Sequence, residues 1–309
     1  MEAQVRVLVV INTRSGGQDM GLYEFIGALG SKGAEVTLRF ATGAERLEDL
    51  VADAKTFDRV VAAGGDGTVS TVCYQTRDSG VPILAYPAGT ANLISLNLGL
   101  PLDAPGLAAL TLTGTTARFD LGLLEHPSES GEPSAMGFAL MAGAGFDASI
   151  MENAQPLKSA FGAAAYLLSA VTNLNPTVSE FELVLDGEHV HTDGIAVLLV
   201  NFGRIQFDLD VTPSWDPQDG KFEVVVLRTR SVAGLIPVVF AAMMDKMMEN
   251  PERTPSVDVY SASEVEVSAY PPLRMQTDGD ALELLTPFAA RALPGAATLI
   301  VPEESPYRR

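Results

Sequence analysis

Ala62-Ala63-Gly64-Gly65-Asp66-Gly67-Thr68-Val69-Ser70 follows the apolar run Arg59-Val60-Val61 and continues into Thr71-Val72. A strand that ends in glycines and feeds a helix predicts a phosphate cradle. Gly64, Gly65 and Gly67 lack a Cβ, so they allow positive φ and close approach of a phosphate, whose charge suits the free N–H groups and positive end of the helix. Asp66 is the odd member. A carboxylate beside a polyphosphate needs a cation or a donor hydroxyl between them, which points to Mg²⁺ organisation or to handling an acceptor proton. A plain Gly-Asp-Gly turn is the other reading of the same residues.

The arrangement recurs. Val81-Pro82-Ile83-Leu84-Ala85-Tyr86 reads as a buried strand, and Pro87-Ala88-Gly89-Thr90-Ala91-Asn92 turns into the helical Leu93-Ile94-Ser95-Leu96-Asn97-Leu98. Two glycine loops after successive strands belong on one edge of one sheet. Thr90 and Asn92 are N-cap residues on a bland reading and phosphate donors beside the first loop. A third strand and polar turn opens the chain, Arg6-Val7-Leu8-Val9-Val10-Ile11 followed by Asn12-Thr13-Arg14-Ser15-Gly16-Gly17.

Together these loops resemble the diacylglycerol kinase catalytic family, which includes sphingosine kinases and bacterial lipid kinases. Its pattern is Asn-Pro-x-Ser-Gly, then Gly-Gly-Asp-Gly-Thr, then Pro-x-Gly-Thr-x-Asn. Gly143-Ala144-Gly145-Phe146-Asp147, the Lys158–Tyr166 stretch, Asp216-Pro217-Gln218-Asp219-Gly220-Lys221-Phe222 and Thr277-Asp278-Gly279-Asp280 extend the likeness in the same order over nearly the whole chain. The resemblance implies ATP held by Asn12, Ser15, Gly16, Thr42, Gly64, Gly65, Asp66, Gly67, Thr68, Val69, Ser70, Gly89, Thr90 and Asn92. It implies Asp280 as general base, with Asp66 beside it in catalysis and Asp278 orienting the base or the metal. It implies an accessory Mg²⁺ held by Asp219 and the backbone carbonyls of Asp216 and Lys221, where an ordinary Asp-Gly turn is the alternative.

The sequence departs from the family at Thr13 for Pro, Ser70-Thr71 for Asn-Glu, Leu93 for Asp and Asp280 for Glu. Leu93 and Ser70-Thr71 remove polar groups near the cleft. Asp280 shortens the base by about an ångström or more, which matters for proton transfer. NAD kinases share Gly-Gly-Asp-Gly-Thr, and a binding protein that has lost catalysis shares the departures; both stay as alternatives.

At 309 residues with 47% apolar and 19% charged residues, the chain can bury substantial cores in two domains. Its single cysteine, Cys73, forbids an internal disulfide and fits a reducing cytosol, as a small core residue of the helix after the first loop. The N-terminal apolar run is too short and too weakly basic for a signal peptide. No stretch reaches the roughly 18 to 20 apolar residues of a membrane span; the run at 232–244 is broken by Pro237 and reads as a buried helix, with contact to acyl chains through the flexible Met243, Met244, Met247, Met248 cluster as the alternative. The net charge of −19 argues against nucleic acid and against a polybasic anchor, so contact with a membrane must be apolar, local and transient. A cytoplasmic enzyme meeting its lipid substrate at the membrane surface is the expectation; a homodimer is compatible with it.

Strand-like runs at 6–12, 34–40, 59–63 and 81–86 alternate with helix-like stretches at 20–32, 44–55, 68–77, 92–98 and 104–112. That order predicts an α/β fold: an N-terminal Rossmann-like parallel α/β domain at 1–120, joined by 288–309 through the resemblance. Beyond it, runs at 136–142, 178–186, 194–201, 222–229, 256–260, 264–270 and 281–285 predict a second, mostly antiparallel β-sandwich domain at 121–287, with helices at 157–174 and 232–248. His126 falls in a polar loop, and His189 and His191 share a strand face without a third metal ligand.

Overall fold

The computed structural model describes residues 4–15, 20–127, 134–145, 176–205, 209–210, 212, 215–229 and 257–308. Gly16, Phe146-Asp147, the 157–174 and 232–248 helices and the methionine cluster lie outside the described residues. The chain divides into two compact units, Met1–Leu121 with Leu293–Arg309, and Gly122–Ala292.

In the first unit β1 (Arg6–Asn12), α1 (Met20–Ser31), β2 (Glu35–Ala41), α2 (Leu47–Leu50), β3 (Arg59–Gly64), α3 (Asp66–Gln75), β4 (Ile83–Pro87), α4 (Leu93–Asn97) and α5 (Ala104–Thr113) lead into β5 (Thr115–His126). The parallel strands take the order β2-β1-β3-β4. Val7 to Val10, Val60 to Ala63 and Leu84 are fully buried, as parallel strands covered on both faces must be. Helix α1 packs with α5, and α2 with α3. The expected 44–55 helix is cut short: Arg39 Nη1 donates to Leu50 O at 2.7 Å, and the Ala54 amide turns to Val51 O instead.

The second unit holds β6 (Ser134–Phe138), β7 (Met141–Ala144), β8 (Ser179–Leu185), β9 (Glu188–Gly194), β10 (Ala196–Val200), β11 (Arg204–Ile205), β12 (Leu209–Asp210), β13 (Phe222–Leu227), β14 (Val257–Ala262), β15 (Glu264–Tyr270), β16 (Arg274–Thr277) and β17 (Asp280–Leu285). One antiparallel layer runs β14-β13-β10-β7-β16-β17; the other includes β15, β8 and β9. Their inner faces share one core, with Phe181, Leu183, Val265 and Val267 from one layer and Val197, Leu199, Phe222, Val224 and Met275 from the other. This is the expected sandwich. The long final strand β18 (Phe288–Val301) pairs with β15 near its start, and Leu299 stands opposite Ile83 of β4. Among the described residues no helix is long and apolar enough to cross a membrane.

Candidate active site

Because β1 to β4 are parallel, their C-terminal ends share one edge. Asn12 stands opposite Ala41, Ile11 opposite Ala63, and Gly64 opposite Pro87. Strand order reverses direction between β1 and β3, the switch point where open α/β sheets bind ligands. Both glycine loops are at this edge, and they touch: a Cβ on Gly89 would sit 2.4 Å from Gly65 Cα. Ser15 Oγ reaches the same place, 3.9 Å from where a Gly65 Cβ would be. Here the structure corrects the reading of the glycines. None of Gly64, Gly65 and Gly67 takes positive φ; Gly64 makes room for Thr68, whose Cβ would lie 2.5 Å from an added Cβ, and it is Gly89 that makes room for Gly65, since a Cβ on Gly65 would meet Gly89 Cα only at an ordinary 3.7 Å.

Asp66 is half-buried. Its Oδ2 accepts the Leu93 amide at 3.0 Å and its Oδ1 the Ile94 amide at 2.9 Å, so it caps α4 from the start of α3. Burial pushes the Asp66 carboxyl above its ordinary range, against the pull of the Ile94 and Leu93 amides. Asn92 does not cap α4. It adopts φ 52° and ψ 43°, and its side chain closes on Gly89 instead, accepting from Gly89 N at 2.7 Å and donating to Gly89 O at 2.9 Å. Thr90 is left exposed beside the Gly65–Gly89 contact.

Other residues expected at the nucleotide also make scaffold contacts. Since α3 begins at Asp66, Thr68, Val69 and Ser70 turn inward and are buried. Asn12 Nδ2 donates to Thr68 Oγ1 at 2.8 Å, and Asn12 Oδ1 accepts the Arg14 amide at 3.0 Å, tying the first turn to α3. Thr42 donates to Glu45 Oε2 through both its amide, at 2.9 Å, and its hydroxyl, at 2.7 Å. Gly43 beside it lies against the Arg14 guanidinium, a cation at this edge that the motif reading passed over. Cys73 is buried in α3, as expected.

In the second unit, Asp278 (φ 49°) and Gly279 (φ 90°) form the two-residue turn between β16 and β17, which pairs Thr277 with Asp280. Both residues in the left-handed region is the geometry that fits the twist of a hairpin. Asp280 is exposed at the head of β17. Asp278 is occupied elsewhere: Oδ1 accepts the Leu140 and Met141 amides at 2.8 and 3.1 Å, and Oδ2 the Ala139 amide at 3.2 Å. It thereby fastens the 139–141 turn. Asp278→Ala strands these amides and should cost roughly 3 kcal/mol, or about 6–12 °C in Tm; a shift of under about 1 °C in thermal unfolding would contradict this.

The Asp216–Lys221 loop contains two local turns, with Gln218 N donating to Asp216 Oδ1 at 3.1 Å and Lys221 N to Asp219 Oδ1 at 2.9 Å. Partial desolvation pushes the Asp219 carboxyl up against the pull of the Lys221 amide, and the Asp216 charge adds to the rise. The two carboxylates repel each other, Asp219 also feels the Lys221 charge, and carboxylate oxygens are donors of the kind a hard cation takes. Among the described residues no group of three His, Cys, Asp or Glu could hold a metal ion. His189 lies 3.6 Å from Glu182 on an exposed hairpin face, and His126, the last residue of β5, contacts Leu285 O at 2.9 Å.

Residues 6–124 match the diacylglycerol kinase catalytic domain, and residues 141–301 match the YegS C-terminal NAD kinase β-sandwich-like domain. The chain is 26% identical over 309 residues to a probable lipid kinase YegS-like protein of Klebsiella pneumoniae, covering 98% of each. It is 28% identical over 260 residues to a diacylglycerol kinase of Mycobacterium tuberculosis, covering 81% of this chain and 78% of that one. It spans 55% of the length of an uncharacterized Synechocystis protein to which it is 25% identical, with 80% of this chain covered. In fold it is similar to a putative diacylglycerol kinase of Bacillus anthracis (TM-score 0.77, 18% identity, 98% of each chain). The likeness to yeast NADH kinase is more distant (TM-score 0.53, 13% identity, 97% of this chain and 84% of that one).

Proposed function

Because the chain belongs to the diacylglycerol kinase catalytic family, with a YegS-type C-terminal β-sandwich domain, we propose that it is an ATP-dependent lipid kinase that moves the γ-phosphoryl group onto the hydroxyl of a diacylglycerol-like acceptor. The observation that carries this reading is the contact of Gly65 with Gly89 at the switch-point edge, with the start of α3 opening beside it. Phosphoryl transfer asks a protein mainly to position phosphates and to neutralise their charge. The backbone at Gly65 to Gly67, the Ser15 and Thr90 hydroxyls and the Arg14 guanidinium are the groups at that edge suited to hold a polyphosphate.

Asp280 accepts the proton of the acceptor hydroxyl. Asp219 and the backbone carbonyls of Asp216 and Lys221 would hold a Mg²⁺ ion, which would supply positive charge and order to that loop. With a net charge of −19, the protein approaches an anionic bilayer through brief apolar contact.

Lipid-dependent ADP release measured while Mg²⁺ is titrated tests the assignment. Wild type should turn over with a diacylglycerol-like lipid, and Asp219→Ala should need about tenfold more Mg²⁺, the low end of the cost of disturbing a metal shell. No lipid-dependent release at any Mg²⁺ concentration would overturn the kinase reading. Identical Mg²⁺ curves would remove Asp219 as a ligand.

A further inference from the structure

Helix α4 starts without a cap of its own. Asn92, at the N-cap position, is turned into the left-handed region with its side chain spent on Gly89, so the Leu93 and Ile94 amides look elsewhere for an acceptor. They find it 27 and 28 residues back, where each oxygen of Asp66 takes one of them. The same few residues include the Gly65–Gly89 contact, which leaves no room for a side chain on Gly89. The two glycine loops are thus joined twice, by glycine against glycine and by carboxylate against amide. A carboxylate at the start of one helix and bonded to the start of another satisfies orphan donors of α4 with charge-assisted bonds. It also removes the oddity of an acidic side chain in a phosphate loop, because both oxygens are turned to protein donors.

We propose that Asp66 is a positioning residue: it clamps the Gly89–Asn92 loop and α4 onto the phosphate loop, and it acts on the nucleotide through that loop and not through the reacting atoms. The inference rests on the kinase reading only for its consequence in catalysis; the clamp itself is a property of the protein without substrates. A carboxylate that worked on metal or proton would, when removed, lower kcat and leave the loops in place. A clamp, when removed, frees α4 and raises KM for ATP.

The test is amide hydrogen exchange across residues 85–98 in wild type, Asp66→Asn and Asp66→Ala, with ATP affinity and steady-state kinetics on the same samples. The asparagine variant is isosteric and keeps one acceptor, so it guards against a collapse of the fold in the alanine variant. We expect exchange at Leu93 and Ile94 to rise at least about tenfold in Asp66→Ala and less in Asp66→Asn, the change one lost hydrogen bond of net ~1.4 kcal/mol would produce. Exchange in β1 and β3 should not change, and KM for ATP should rise by a larger factor than kcat falls. Unchanged protection at Leu93 and Ile94, or a fall in kcat with KM for ATP unchanged, would overturn the proposal. If no lipid is phosphorylated even by wild type, the exchange and ATP-affinity data still decide whether Asp66 is the clamp.

Discussion

Asp280→Asn is expected to lower lipid phosphorylation by about 10²–10⁴-fold, the range that removal of a general base commonly gives. The side chain is exposed at the first position of β17, past the Asp278-Gly279 turn. Its replacement by the isosteric amide should therefore leave thermal unfolding unchanged. Asp280→Glu restores the longer side chain that the resembling family carries, while the turn here holds the shorter one. It should lose turnover as well, because a base must reach within about 2.6–3.2 Å of the acceptor oxygen and an extra methylene displaces it from a site set for Asp. Equal rates for wild type and Asp280→Asn against the same lipid would remove Asp280 from proton transfer.

Gly89→Ala should damage both stability and nucleotide binding. The added Cβ would lie 2.4 Å from Gly65 Cα, 3.0 Å from Asn92 Oδ1 and 3.1 Å from Gly65 N. The first and last are backbone atoms and cannot rotate away, so one loop must move. Overpacking of this kind costs about 1–3 kcal/mol, and a loop shift near an ångström at the phosphate edge can cost about 10²-fold in catalysis. Gly27 in α1 supplies the contrast. Nothing lies within 4 Å of a Cβ there, so Gly27→Ala should be neutral or stabilising by roughly 0.5–1 kcal/mol. Similar melting temperatures and ATP affinities for the two variants would mean that the close approach of the loops is unimportant.

Much of this architecture is legible in the sequence, and the reasons are local. Strands β1 and β3 are continuous apolar runs that only a sheet covered on both faces can bury. The glycine loops announce themselves by composition, and parallel strands then place both on one edge. What the sequence hides depends on partners far along the chain. Nothing near Asp66 indicates that its acceptors serve residues 93 and 94, and nothing near Asp278 points to the 139–141 amides.

The shortened α2 has the same kind of cause, since the interfering guanidinium comes from β2. Strand β18 was hard to see because Pro294-Gly295 reads as a break. In the fold Gly295 takes φ 57° within the strand, donates its amide to buried Asp120 at 2.6 Å and accepts from Arg118 Nε at 2.8 Å. Polar β9 is visible mainly through its turn, Asp186-Gly187, with both φ values positive. The phosphate-loop glycines allow positive φ without using it: absence of a Cβ can serve close packing of two loops without any unusual backbone angle.

The proposed reaction is transfer of a phosphoryl group from ATP to a lipid hydroxyl. Its most direct test is to incubate the protein with γ-labelled ATP and Mg²⁺ against diacylglycerol, monoacylglycerol, ceramide, a sphingoid base and phosphatidylglycerol in mixed micelles, with NAD in a parallel reaction. Label should appear in a lipid product, most strongly with the diacylglycerol, and none in NADP. Label in NADP, or ATP bound with no labelled product from any acceptor, would contradict the account.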